Sequence, residues 1–179
     1  MPGFNIRKIV FAGVIGAIYA ALTLALGEFG YGPIQLRIAE ALCILPFFFP
    51  FSVWGLFVGC LAANLMSPYP LDIVVGPVAT LLAALCTMQL GRVGRGGISV
   101  KVLACLPPVV FNAVFIGALI AYYLVSVGEA LSFLSAFVLS GLTVGAGEAI
   151  VMYAVGLPLL VFLSKSRAFN NMATSYGLM

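Results

Sequence analysis

The chain contains no histidine. That excludes imidazole general bases, Ser-His-Asp relays and histidine metal sites. Charge is nearly as scarce: Lys+Arg 8 and Asp+Glu 5 amount to 7% of 179 residues. Soluble domains carry about 25%, so these charges cannot cover a water-facing surface, and neither a cytosolic globule nor a disordered chain fits. The net charge of +3 is too small to recruit nucleic acid. Cys43, Cys60, Cys86 and Cys105 lie in apolar runs without a C-x-x-C pair, so they read as small buried hydrophobes, not as a zinc or redox site. There is no G-x-x-x-x-G-K-[ST] phosphate loop, no G-x-S-x-G and no clear acid pair. The chain is therefore not read as an enzyme. It holds no cofactor of its own, and uphill transport would need ATP hydrolysis by partner subunits or an ion gradient.

What is present is apolar: 64% of the residues. That composition predicts an all-α membrane protein in contact with the lipid bilayer, built as one bundle over residues 1–167 with a mobile cytoplasmic tail at 168–179. The charges punctuate the spans. The first runs between Lys8 and Glu28. Arg7-Lys8 ahead of it has the form of a signal peptide, but the run is as long as a real span and is read as a retained helix. The stretch from Ala41 to Leu71 is too long for one helix. Pro46 and Pro50, flanking Phe47-Phe48-Phe49, divide it into spans at about 35–48 and 51–66 joined by a tight turn. A fourth span runs from about Asp72 to Gln89 and stops at the glycine-basic loop Gly91 to Gly97. A fifth follows Lys101 and continues to Gly128. A short outer segment before Ser140 leads into a sixth from about Gly141 to Ser164. With six spans, Arg7, Lys8, Arg92, Arg95, Lys101, Lys165 and Arg167 all fall on one side, which predicts cytoplasmic N- and C-termini.

Polar residues left inside such spans mark sites by default. Glu148 lies mid-helix in a glycine-rich run, with no basic neighbour in sequence. Arg37 and Glu40, three apart, share a helix face, either as an internal ion pair or facing a cavity. Asn64, Asn112 and Gln35 offer amides that both donate and accept, and Thr80 is a weaker candidate because threonine can bond its own helix backbone. At a 1.5 Å rise these groups converge on the outer half of the bundle, while the inner half is nearly all apolar. That distribution fits a cavity open to the outside. On the first span, Gly13, Ala17 and Ala21 recur every four residues, and Gly16 and Ala20 form a second pair. Such a ridge lets another helix approach closely, within the bundle or from a separate subunit.

The stretch Gln35-Leu36-Arg37-Ile38-Ala39-Glu40-Ala41-Leu42, then Leu45-Pro46, Gly55 to Asn64, and Asp72 to Ala84 resembles the QueT family. Asn112, Gly147-Glu148 and Gly156-Leu157-Pro158-Leu159 match its later pattern, and the resemblance covers about residues 8 to 163. It implies a six-helix S component of an energy-coupling factor (ECF) transporter in the cell membrane. Such a protein captures queuosine precursors, which are deazaguanine bases, from outside. It then docks on a membrane coupling subunit carrying two ATPases. The resemblance further implies that Ala17-Ile18-Tyr19-Ala20-Ala21 supplies the family's A-x-x-x-A docking pattern. Set against a guanine-like edge, Glu148 is the candidate acceptor of two adjacent N–H groups. Asn112 and Asn64 would read other edges, and Tyr122 or Phe115 would stack on the ring. Glu40 or Asp72 would pair with an aminomethyl cation, and Gln35 and Arg37 would lie near a lid formed by residues 28–34. An S component for riboflavin or thiamine, and a stand-alone carrier, are the alternatives.

Overall fold

A computed structural model describes residues 6–27, 36–94 and 97–175. The described elements are all helical. Helix α1 (Ile6–Ala25) is followed by a 3-10 helix (Ile38–Phe47), α2 (Ser52–Asn64) and α3 (Asp72–Val93). Helices α4 (Ile98–Ser126) and α5 (Phe133–Lys165) complete the long elements, and a short α6 (Arg167–Ser175) is the last described element. Helices α1, α3, α4 and α5 are each long and apolar enough to cross a membrane, whereas the 3-10 helix and α2 are shorter apolar helices. Their outward faces, such as Val10, Val14 and Ile18 on α1 and Leu134, Val138 and Leu142 on α5, are exposed and apolar, as lipid contact requires.

Helix α1 buries a stripe of Ile15, Gly16, Tyr19 and Thr23, the four-residue spacing of one helix face. It lies directly on α2. A Cβ at Gly16 would sit 2.6 Å from the Gly55 carbonyl oxygen, and one at Gly59 would sit 2.5 Å from that of Gly16. The two backbones touch only because all three are glycines. The second small pair on the ridge therefore begins with a residue spent inside the bundle, while Gly13 has open space at its Cβ position.

The sequence predicts an α-helical span over about 35–48. The structure has a ten-residue 3-10 helix there, buried at Ala39, Glu40, Ala41, Cys43, Ile44, Pro46 and Phe47. Pro46 removes one N–H donor and disfavours the α form behind it. Tighter winding stretches ten residues to about 20 Å, enough to join the polar end of the bundle to Phe47, Phe48 and Phe49. These rings pack with Ile44, Cys105, Met152 and Leu160 into an apolar core. Gly91 of α3 rests on the Phe47 backbone: a Cβ there would lie 2.8 Å from its Cα.

Proline also shapes α4, which breaks at Cys105 ahead of Pro107 and Pro108. Pro108 cannot donate to the carbonyl of Ala104. Thr87 Oγ1 of α3 donates to that carbonyl instead, at 3.1 Å, so the buried acceptor is not orphaned. Helix α5 differs from expectation. Nothing between Phe133 and Ser140 breaks it, so it begins at Phe133 and not near Gly141, and it absorbs one π-helical turn at Met152–Gly156 just ahead of Pro158. Where the sequence predicts only a mobile end, α6 is helical, and its Phe169 ring lies 5.4 Å from those of Phe48 and Phe49.

The basic residues of the long helices gather at this aromatic end. Lys8 opens α1 and lies over the Phe51 ring, Arg92 closes α3, and Lys165 closes α5. Lys101, expected in a loop, is buried in the first half of α4 and donates to Ser164 Oγ at 2.8 Å. The buried acids and amides lie toward the opposite end.

Candidate substrate-binding site

Three segment ends build the polar end: the start of the 3-10 helix, the end of α2 and the start of α3. Two mid-helix residues, Asn112 of α4 and Glu148 of α5, complete it. Arg37, Glu40, Asn64, Asp72, Thr80, Asn112 and Glu148 are all buried. Gln35 and the 28–34 lid lie outside the described residues.

The salt bridge of Arg37 runs to Asp72, whose Oδ2 accepts from the guanidinium at 2.9 Å, and not to Glu40 on the neighbouring turn. Arg37 does not share a helix face with Glu40, because it precedes the 3-10 helix, with φ −82 and ψ 86, and reaches across to the first turn of α3. Asp72 suits that position, since an acid at a helix N-terminus meets the positive end of its dipole. Its Oδ2 also accepts from Ser67 Oγ at 3.1 Å.

Glu40 is saturated with donors. Its Oε1 accepts from the Tyr19 hydroxyl and from Thr80 Oγ1 at 3.2 Å, and its Oε2 from Cys43 Sγ at 3.0 Å. Thr80 also lies 3.4 Å from Cys60 Sγ, and Cys60 lies 3.7 Å from Asn64 Nδ2. Asn64 Nδ2 donates to the Asp72 carbonyl at 2.9 Å. One network therefore links α1, the 3-10 helix, α2 and α3.

Glu148 stands apart from that saturation. Glu40 and Arg37 act on it through space, and the Asn112 amide lies close to it but outside hydrogen-bond geometry. Among the described residues Glu148 Oε1, Asn112 Oδ1 and Nδ2, Asn64 Oδ1 and Asp72 Oδ1 are buried without a hydrogen-bond partner. Native proteins satisfy the large majority of buried side-chain polar atoms, and leaving one unmet costs about 1–3 kcal/mol. Orphan atoms on four residues of one cluster make it the candidate site for a polar guest.

Sequence reasoning missed Tyr19 and read Cys43 and Cys60 as plain hydrophobes. Tyr19 was findable: a phenol on the buried stripe of an apolar span must place its hydroxyl on a partner. Cys86, expected buried, is exposed. Phe115 and Tyr122 line an open groove with Val75 and Phe133, and Tyr122 is 55% exposed, so these rings do not join the cluster.

A second feature lies on the outer side of the α1–α2 pair. An apolar groove of about 340 Å³ is lined by Ile9, Gly13, Ala17, Trp54, Val58 and Ala62, among others. Ala21 is exposed one turn further along α1.

The model of the family described as QueT transporter matches residues 9–165. One similar protein is the queuosine precursor transporter QueT of Lactococcus lactis subsp. cremoris (strain MG1363), 34% identical over 76 residues. That alignment takes in 41% of this chain and 45% of the relative, so the chain matches rather less than half of the relative's length. No solved structure matches.

Proposed function

The chain belongs to the QueT transporter family, and from that premise we propose that it is the substrate-binding S component of an ECF importer for queuosine precursors. The observation that carries this reading is the set of buried, unpartnered polar atoms on Asn64, Asp72, Asn112 and Glu148. A guanine-like edge offers adjacent N–H donors beside a carbonyl. Glu148 accepts the donors side by side, a charge-assisted arrangement, and Asn112 supplies both a donor and an acceptor. Glu40, already bonded by Tyr19, Thr80 and Cys43, shapes the pocket and holds its neighbours in place. Thr80 acts through Glu40. Arg37, bridged to Asp72, borders the site.

In this reading all six apolar segments cross the bilayer and both termini are cytoplasmic. The basic residues at the aromatic end support that orientation. The 3-10 helix and α2 reach only about 20 Å each, but the 3-10 helix is enclosed by its neighbours and need not match the lipid thickness. The aromatic core then closes the bundle on the cytoplasmic side, beneath a site that loads from outside.

Energy comes from partners: a membrane coupling subunit with two ATPases that hydrolyse ATP. The groove beside Gly13, Ala17 and Ala21 is the docking face, because small side chains there admit a helix from another subunit. The glycine contacts make α1 and α2 one rigid pair. That pair carries Tyr19, Cys60 and Asn64 into the polar network, so a subunit pressing on the groove displaces the donors that order the site. Docking and release are linked in that way.

Titration calorimetry of the purified protein with deazaguanine bases, with guanine, riboflavin and thiamine as controls, tests the substrate. Tight binding of a deazaguanine is expected. A vitamin binding in its place would overturn the assignment. Copurification with a coupling subunit and ATPases tests the partners, and function without them would favour a stand-alone carrier.

A further inference from the structure

The aromatic end of the bundle carries cations without counter-ions. Arg7 and Lys8 open α1, Arg92 closes α3, Lys101 lies in α4, and Lys165 and Arg167 flank the junction of α5 and α6. Among the described residues no acid stands at that end. Glu40, Asp72 and Glu148 belong to the polar cluster, and Glu129 follows the far end of α4. Lys101 shows the imbalance most sharply. It is 7% exposed, and its ammonium donates to Ser164 Oγ at 2.8 Å. No salt bridge joins it to a carboxylate among the described residues. A hydroxyl occupies one of its three N–H groups but does not neutralise the charge, and a buried cation without an anion is costly. The neutralising anion is then one from the surroundings.

The apolar surface next to these cations is grooved. Helix α4 breaks at Cys105 ahead of Pro107 and Pro108, and two grooves flank the break. One of about 480 Å³ lies between α3 and α4, bordered by Gln89, Leu90 and Pro107. The other, of about 450 Å³, lies between α4 and α5, bordered by Val102 and Tyr153. Leu103 and Leu106 line both and form the ridge between them. Each groove has a cation close by. Gln89 accepts from Arg92 Nη1 at 3.4 Å, which holds a guanidinium over the first. On the side of the second, α4 and α5 meet at Lys101 and Ser164, and the exposed Lys165 follows directly.

We propose that this face binds one anionic phospholipid of the cytoplasmic leaflet. Its phosphate sits over the start of α4, between Arg92 and Lys165 and beside the Lys101 charge. Its two chains lie in the grooves on either side of the Leu103–Leu106 ridge. A guanidinium suits a phosphate because it can donate two parallel N–H bonds, and basic pockets between membrane helices on the cytoplasmic side take anionic headgroups. A zwitterionic lipid would fill the same grooves but bring its own ammonium group, so charge and not shape sets the preference. Each basic residue near the surface is worth about 5-fold in affinity for anionic lipid. Three of them give about 100-fold at most.

The test reads lipid contact from inside the first groove. Trp54 on α2 is the chain's one tryptophan. Trp54→Phe removes it, and Phe111→Trp places a reporter in the groove. The full chain is reconstituted in phosphatidylcholine vesicles, and quenching by brominated phosphatidylglycerol is compared with quenching by brominated phosphatidylcholine. Phosphatidylglycerol should bind at the reporter at least about 10-fold more tightly. Arg92→Gln with Lys165→Gln, both exposed, should lower that preference by at least about 5-fold and leave quenching by phosphatidylcholine unchanged. Equal binding of the two lipids would overturn the proposal, and so would a preference that survives the loss of both charges. Quenching by neither lipid in folded protein would assign the grooves to a second copy of the chain and overturn it as well. If the reporter variant does not fold, the unfolding midpoint of the wild type in mixed micelles should rise with phosphatidylglycerol and not with phosphatidylcholine; an equal response to both would count against the site.

Discussion

Gly16 and Ala17 are adjacent on one ridge of small residues, yet they should respond to enlargement in opposite ways. Gly16 faces α2. A Cβ added there lies 2.6 Å from the Gly55 carbonyl oxygen and 3.5 Å from the Gly59 nitrogen. Ordinary contact starts near 3.4 Å, and the blocking atoms are backbone, so no side chain can swing aside. The helices must separate by most of an ångström along a seam that also includes the Gly55 and Gly59 contacts. Overpacking of this kind costs about 1–3 kcal/mol. Ala17 instead lines the outer groove, and Ala17→Leu should change stability by no more than about 0.5 kcal/mol. Unfolding of both variants in mixed micelles measures the first quantity. Copurification with the coupling subunit measures the second, where Ala17→Leu should lose the complex and keep ligand binding. Unchanged stability in Gly16→Ala would refute the rigid α1–α2 seam. A normal complex with Ala17→Leu would refute the docking face.

Asp72→Asn removes the carboxylate that bridges to the buried Arg37 guanidinium and should destabilise the fold, by at most about 3–5 kcal/mol. The double variant Arg37→Met with Asp72→Leu should recover much of that loss in the same unfolding assay. Thr87→Val strips the donor from the Ala104 carbonyl, whose helical partner position is occupied by Pro108, and should cost about 1–3 kcal/mol. Tyr19→Phe removes one donor from Glu40 while Thr80 and Cys43 remain. It should cost about 1 kcal/mol in stability and alter transport more than equilibrium binding, because Tyr19 ties the docking helix to the site; equal effects on both would argue against that link.

Much of the fold was legible because charges and prolines punctuate an apolar chain. The turn at Phe47–Phe49 and the start of α3 at Asp72 fall where the sequence predicts, and α3 continues to Val93 because Gly91 packs instead of breaking the helix. The start of α5 was not legible, since Phe133 to Ser140 is as apolar as the rest of the helix and holds no breaker. The 3-10 form was hidden too: Pro46 announces a disturbance but not its extent. Within the site, burial of the named acids and amides stems from their position in apolar spans. Their pairing does not. The Arg37–Asp72 bond joins residues 35 apart in sequence, and helical spacing speaks only about neighbours on one helix. Phe169 escaped notice because its partners, Phe48 and Phe49, are far away in the chain.

The central claim is that the orphaned polar atoms around Glu148 form the site for a deazaguanine base. Titration of folded wild-type protein and Glu148→Gln with the same base tests it most directly. Truncating a buried charge-assisted contact costs about 2 kcal/mol or more, roughly 30-fold. The account predicts binding by the wild type and at least that loss in the variant. Equal affinity of the two folded proteins would contradict it.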